Sequence, residues 1–122
     1  MNAVISGEVI CRGHHGFTRT AAPADATLRW MLSAVDRLAQ ATNYLPTTRL
    51  LVDLTAVSTT PSEVEQAILG EHVARQFTHL EKVASLVASG TRTGISERVA
   101  QSLGLNLRVF TREADAVEWL ER

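Results

Sequence analysis

The apolar positions along the chain fall into short unbroken runs and longer stretches with helical spacing. The short runs are too brief for helices and predict strands at residues 4–5, 9–11, 49–54, 82–88 and 105–110. Because Ser6 and Gly7 form a turn dipeptide, we expect the first two runs to make a hairpin or one bent edge strand, which residues 13–18 end. The run at 49–54 lacks polar alternation, which is typical of a central strand covered on both faces.

Between the strand runs, apolar residues recur at three- and four-residue steps, the spacing of one face of a helix. The first helix is predicted to begin at Pro23, because a missing N–H costs nothing in a first turn. It is expected to end near Thr42, ahead of Pro46. Its apolar face consists of Leu28, Met31, Leu32, Val35 and Leu38.

Four signals agree on the start of the second helix. Thr60 can cap it, Pro61 suits its first position, Glu63 completes a capping box, and the apolar pattern begins at Val64. Gly70 interrupts this pattern, so a kink or a break is expected there.

Two shorter helices complete the chain. One carries Ile95, Val99 and Leu103 and ends at Gly104, and the other is expected to be capped by Thr111. Strands that alternate with helices predict an α/β fold in one domain spanning residues 1–122. We expect a mostly parallel central sheet of four to five strands with an antiparallel N-terminal edge, and about four helices.

Composition and charge narrow the functional classes. Twelve basic and thirteen acidic residues give a net charge of −1, which offers no general attraction to nucleic acid or anionic lipid. Cys11 is the only cysteine, so no intramolecular disulfide can form and a reducing compartment is expected. The sequence shows no signal peptide and no apolar run near the roughly eighteen residues of a membrane span, so a cytoplasmic location without a transmembrane segment is predicted.

Four stretches resemble the SpoIIAA-like family, within the larger STAS (sulphate transporter and anti-sigma-factor antagonist) fold. They are Gly16-Phe17-Thr18, residues 50–54, Lys82-Val83-Ala84, and the ending from Arg108 through Trp119 and Leu120. The resemblance covers nearly the whole chain and implies a STAS-like regulatory or binding domain that is not an enzyme. Within this fold, antagonists bind a partner kinase, and more distant architectures enclose hydrophobic ligands.

The resemblance also implies a position for phosphorylation. Counting from Asp53, the antagonists' phosphoserine position falls on Ser62. The antagonist motif there reads Asp-Ser-Ser-Gly, whereas this chain has Pro61-Ser62-Glu63-Val64. We therefore expect Ser62 to have a structural role as the second residue of its helix.

The candidate binding surface runs from residue 55 to residue 62 and is joined by the loop at 89–94. The 89–94 loop follows a strand and precedes a helix, so it lies at the edge of the sheet where open α/β sheets bind ligands. An apolar pocket is expected between the helix that begins at Pro61 and the sheet. The candidate residues for a protein partner or a small hydrophobic ligand are Thr55, Ser58, Thr59, Ser62, Ile68, Thr91, Arg92 and Thr93.

One alternative is a small enzyme or binding protein for an anionic metabolite, held by Arg92 and the backbone amides of the 89–94 loop. The loop lacks the Gly-Lys-Ser/Thr of a nucleotide loop, and a plain surface connection also fits its composition.

Catalytic and metal chemistry is not expected. Residues 94–98 begin like a nucleophile elbow, but Arg98 replaces the second glycine, and no acid, base and nucleophile converge. Asp53 is expected to cap a neighbouring loop. No metal or cofactor is predicted, because no metal-site spacing is found among His14, His15, His72 and His79.

Some apolar helix residues have no obvious cover within one domain. Trp30 lies off the main stripe of the first helix, and the apolar face shifts near Gly70 to Leu69, Val73 and Phe77. Uncovered apolar patches usually mark an interface, so a homodimer through helix faces is predicted.

Overall fold

Six strands and four helices are present in the part of the chain that the computed structural model describes, residues 2–6, 9–14, 16–45, 47–90 and 94–122. Side chains are described from residue 16 onward. The elements are β1 (Asn2–Ser6), β2 (Val9–His14), β3 (Phe17–Ala21), α1 (Leu28–Thr42), β4 (Arg49–Asp53), α2 (Glu63–Gln76), β5 (Lys82–Leu86), α3 (Gly94–Ser102), β6 (Leu107–Phe110) and α4 (Glu113–Glu121).

The strands form one sheet in the order β1-β2-β3-β4-β5-β6. Strands β3 to β6 are parallel, whereas β1 pairs with β2, and β2 with β3, in antiparallel fashion. The predicted α/β class with four helices and a parallel sheet is confirmed. Among the described helices, none is long and apolar enough to cross a membrane.

The count of four to five strands was wrong, because it omitted β3. The sequence interpretation ended the N-terminal region at residues 13–18, yet Phe17–Ala21 pairs with both β2 and β4. Thr18 and Thr20 are 1% and 2% exposed, so on the face opposite to Phe17 the buried positions of β3 are polar. A hydrophobic pattern does not reveal a strand of this kind.

Helices cover both faces of the parallel strands. Leu50, Val83 and Leu107 contact α1, α2 and α3 on one face, while Leu51 and Ala84 contact α4 on the other. Consecutive residues Leu50 and Leu51 are both fully buried because neighbouring side chains of a strand point to opposite faces. The interpretation of residues 49–54 as a covered central strand is confirmed.

Three helices begin at other residues than the pattern indicated. Helix α1 begins at Leu28, where the Thr27 hydroxyl caps it by accepting from the backbone N–H of Trp30, and not at Pro23. Ser62, and not Thr60, caps α2. Helix α4 begins after Arg112, which makes no side-chain cap, so the predicted cap at Thr111 is absent.

Gly70 has a different role from the predicted kink. Helix α2 is continuous from Glu63 to Gln76. A Cβ atom at Gly70 would lie 2.6 Å from the backbone oxygen of Ser96 and 3.1 Å from the Cβ of Val99. The missing side chain therefore lets α3 approach α2 closely.

Two cations hold the end of α4 against the sheet. The Lys82 ammonium donates to the carbonyl oxygens of Trp119 at 2.9 Å and Arg122 at 3.0 Å. The Arg49 guanidinium donates to the carbonyls of Leu120 and, at 2.9 Å, Arg122. These are the carbonyls that a helix leaves unpaired at its C-terminus.

The outer edge of the sheet at β6 is contacted by a side chain from α3. The backbone N–H of Val109 donates to the Glu97 carboxylate at 3.0 Å. On the same helix, the Ser96 hydroxyl donates to the backbone carbonyl of Gln66 at 2.9 Å, which joins α3 to α2.

Candidate functional site

A cavity of about 80 Å³ lies between α1, α2 and the sheet. Its walls are mostly apolar side chains from both helices and from strands β3 to β6, among them Met31, Leu38, Val52, Phe77, Val83 and Leu107. The predicted apolar pocket between the helix that follows Pro61 and the sheet is therefore present.

A second cavity of about 110 Å³ lies beneath the first half of α2 and the loop that precedes it. Val57, Pro61, Gln66, Ser96 and Val109 line it. The two cavities are adjacent, because they share the lining residues Met31, Leu54, Leu69, Val73, Ser85 and Leu107.

The walls of both cavities are uncharged. Two buried polar atoms on them have no hydrogen-bond partner, the hydroxyl of Thr20 in the first cavity and the side-chain oxygen of Gln66 in the second. Leaving a buried acceptor or donor unpaired costs roughly 1–3 kcal/mol in protein stability. These atoms are therefore the unsatisfied hydrogen-bonding groups of the residues that line the cavities.

Strand alternation places the polar groups on this wall. In β3, Phe17 packs on the α4 side and Thr20 lines the opposite side. In β5, Ala84 packs on the α4 side and Ser85 lines both cavities. A two-residue period thus gives an apolar core on one face and a partly polar cavity wall on the other.

Hydrogen bonds hold the loop between β4 and α2 across the second cavity. Ser58 donates from its backbone N–H and from its hydroxyl to the carbonyl of Ala24, each at 2.8 Å. The Thr59 hydroxyl donates to the carbonyl of Ala26 at 2.5 Å. Since Val57, Thr59 and Pro61 line the cavity, this loop forms part of its cover.

The residues predicted as a site do not converge. Of those that the structure describes, Thr59 lines a cavity, Ser58 holds the loop, and Ile68 is 45% exposed on α2. Thr55 donates to the Asp53 carboxylate, and Ser62 caps α2. The remaining three lie outside the described residues, and with them the core of the predicted anion loop: Thr91, Arg92 and Thr93.

Sequence reasoning missed the residues that give the cavities their polarity. Ser85 interrupts the apolar run at 82–88, and Gln66 shares the buried side of α2 with Gly70 and Val73. A small or polar residue within an apolar stripe was the available signal. For Thr20 no such signal was available, because its strand was not predicted.

Asp53 has the role of loop cap that was expected. Its Oδ1 accepts from the backbone N–H of Thr55 at 2.9 Å and from its hydroxyl at 2.6 Å, and its Oδ2 accepts from Arg19 at 2.8 Å. Burial is the largest single influence and acts to raise the pKa of Asp53, but these hydrogen bonds outweigh it and hold the pKa below the ordinary value.

Arg19 joins this carboxylate to α4. Its guanidinium donates to Glu113 at 3.0 and 3.3 Å, and the hydrogen bond with Glu113 is the main reason why the pKa of Arg19 is raised. Arg19, Asp53 and Glu113 thus form an ion-pair network at the surface, next to the β4–α2 loop. In this network the guanidinium is paired with both carboxylates.

The described histidines have structural partners. His72 lies 2.7 Å from Asp36 and joins α2 to α1, and His79 lies 2.7 Å from the Thr42 hydroxyl. Among the side chains that the structure describes, no group of three His, Cys, Asp or Glu residues could hold a metal. The side chains of His14, His15 and Cys11 lie outside that description.

The apolar residues behind the homodimer prediction are covered within the chain. Val73 and Phe77 are buried in the main core cluster, and Leu69 and Trp30 pack against it. The predicted homodimer therefore receives no support from these residues.

Comparisons with known proteins give no family to set beside this site. No family model matches the sequence, and no curated protein matches it.

Proposed function

We propose that this domain is a non-enzymatic binding module of STAS-like type that takes up a small apolar ligand in the two cavities beneath α2. The supporting observation is the pair of adjacent, uncharged cavities in an otherwise packed core. Protein interiors are normally close-packed, and unfilled apolar space between packed elements lowers stability. A ligand that fills the space offsets that cost.

The size of the cavities indicates the size of the ligand. An apolar cavity of about 150 Å³ in another protein binds benzene. The two cavities here, about 80 and 110 Å³, together suit a molecule of one ring or a short branched chain.

The chemistry of the walls favours binding over catalysis. The described lining residues include no Asp, Glu, His, Lys or Arg, so no general acid or base contacts a molecule in the cavities. Ser62, the position that resembles a phosphoserine, uses its hydroxyl to accept from the backbone N–H of Glu65 and caps α2, which is a structural role.

The binding test is a titration of the labelled protein with toluene as the probe. Binding is monitored through the amide chemical shifts. The expected result is saturable shift changes at residues that line the cavities. Ser85→Leu, which places a larger side chain where both cavities meet, should abolish them, whereas Ala88→Leu at an exposed position of the same segment should not. Equal binding by both variants, or no shifts in the wild type, would contradict the proposal.

A protein partner is the second candidate, and the outer face of α2 favours it. Val64 is 70% exposed and Ile68 is 45% exposed, one helical turn apart. Ile68→Glu should remove binding of such a partner while leaving the toluene titration unchanged, which separates this role from the cavity.

A further inference from the structure

The side-chain amide of Gln66 is paired at one end only. Its Nε2 donates to the carbonyl oxygen of Pro61 at 3.3 Å, and its Oε1, which is buried, has no partner. The orientation of the amide follows from chemistry, because the Pro61 carbonyl can only accept and so must face the NH₂ group. The free acceptor is therefore the carbonyl oxygen.

The backbone around Gln66 is fixed on both sides. Its N–H donates to the carbonyl of Ser62 in the first turn of α2, and its own carbonyl accepts from the Ser96 hydroxyl of α3. Gln66 is 7% exposed and lines the second cavity. The fixed backbone and the hydrogen bond from Nε2 to Pro61 together restrict the orientation of the amide before any ligand binds, which lowers the entropic cost of binding.

The walls also restrict the charge of the ligand. An ionised carboxylate, phosphate or ammonium loses its hydration in an uncharged apolar cavity, and no described wall residue carries an opposite charge to replace it. A neutral group that donates one hydrogen bond satisfies Gln66 without this penalty.

We infer that the ligand is a small uncharged molecule with an apolar body and one hydroxyl or N–H group, which donates its hydrogen bond to the side-chain oxygen of Gln66. This inference rests on the proposed function, since it specifies the ligand of the same cavities. Thr20 contributes a second unpaired hydroxyl, in the first cavity. A hydroxyl can both donate and accept, so Thr20 can pair with either a donor or an acceptor of the ligand. The Gln66 oxygen can pair only with a donor.

Phenol and toluene are the probes that test this, because they have the same shape and number of heavy atoms. Phenol is neutral at pH 7, since a phenolic hydroxyl has a pKa of about 10. Dissociation constants are measured by NMR titration for the wild type and for Gln66→Met, which removes the acceptor and keeps a similar length. The phenol affinity should fall about tenfold in Gln66→Met while the toluene affinity is unchanged or rises.

Thr20→Val is the matched control, because it removes the unpaired hydroxyl of the first cavity with little change in shape. It should change the phenol dissociation constant by less than about threefold. A phenol affinity lost in Thr20→Val and kept in Gln66→Met would assign the hydrogen bond to Thr20 and overturn the inference.

A measurement on the wild type covers the case in which Gln66→Met does not fold. The side-chain carbonyl carbon of Gln66 should move downfield on phenol binding and stay in place with toluene. Toluene binding with no such difference overturns the inference and leaves the proposed function standing. Failure of both probes to bind overturns the proposed function itself, and the inference with it.

Discussion

Arg19 donates a hydrogen bond of 2.8 Å from its guanidinium to the carboxylate of Asp53, which lies on the neighbouring parallel strand. The same guanidinium binds Glu113 at the start of α4. The other oxygen of Asp53 accepts two hydrogen bonds from Thr55. The Asp53 carboxylate therefore connects β3 with the β4–α2 loop. Through Arg19 it is also connected with α4, which lies on the face of the sheet opposite to α1 and α2.

Asp53→Asn should lower the free energy of unfolding by about 1–2 kcal/mol near pH 6, because it removes the charge that pairs with Arg19. The folded pKa of Asp53 is lowered from its unfolded value of about 3.9. Its stabilising contribution is thus fully present above about pH 4 and is lost as the pH falls through the folded pKa. Urea unfolding of both proteins from pH 6 to pH 2.5 should show their difference shrinking at the acid end.

Asp25→Asn is the control, because the Asp25 side chain is exposed and makes no hydrogen bond or ion pair with any residue in the described part of the chain. It should change stability by less than about 0.5 kcal/mol at any of these pH values. A difference between wild type and Asp53→Asn that grows with acidity would contradict the prediction.

The cap of α2 predicts an order for two alanine variants. Ser62 accepts from the backbone N–H of Glu65 at 3.2 Å, and the Glu65 side chain accepts from the backbone N–H of Ser62 at 2.9 Å. Ser62→Ala should therefore cost on the order of 1 kcal/mol, and Thr60→Ala close to nothing. Thermal melts decide the order, which is the reverse of the one that the sequence pattern implies. Equal costs would mean that the capping box adds no stability.

Gly70→Ala should destabilise the protein by roughly 1–3 kcal/mol, although alanine normally favours a helix interior. The reason is the Cβ position 2.6 Å from the Ser96 backbone oxygen, which forces α3 away from α2. Gly94→Ala is the matched control, since a Cβ there meets nothing within 4 Å. Chemical denaturation should separate the two variants, and a stabilised Gly70→Ala would refute the close approach.

Lys82→Met should lower stability by roughly 1–2 kcal/mol, because two carbonyls at the end of α4 lose their charged donor. Arg108→Met serves as the comparison. Both cations lie over the ring of Trp119, at 5.2 and 5.4 Å, but the Arg108 side chain is exposed and makes no hydrogen bond with any residue that the structure describes. Its loss should cost about 0.5 kcal/mol. Equal losses would attribute the effect to the ring and not to the carbonyls.

Elements that depend on local signals were predictable from the sequence. The run at 49–54 gives β4, and Gly104, with a φ of +99°, ends the helix that was expected to stop there. Where two local signals overlap, however, the sequence does not choose between them. Thr60 with Glu63 and Ser62 with Glu65 both fit a capping box, and contacts with the distant segment at Ala24 and Ala26 fix the chain leading into Ser62.

The candidate site was less predictable, because a cavity is a property of how several elements pack together. That α2 lies over a pocket could be inferred from its composition. The polar side chains of Thr20 and Gln66 could not be placed there, since each lines a cavity only through the tertiary packing of its strand or helix against the other elements.

The contact between Val109 and Glu97 bears on how separate molecules meet. An edge strand with free N–H groups is a template on which another chain can add its own strand. At β6, the N–H of Val109 is already taken by the Glu97 carboxylate, and that carboxylate places a negative charge beside the edge. A second molecule would have to displace this side chain and desolvate its charge to continue the sheet there. Glu97 thus disfavours the addition of further strands at this edge, and with it aggregation at high protein concentration. This effect does not depend on any ligand in the cavities.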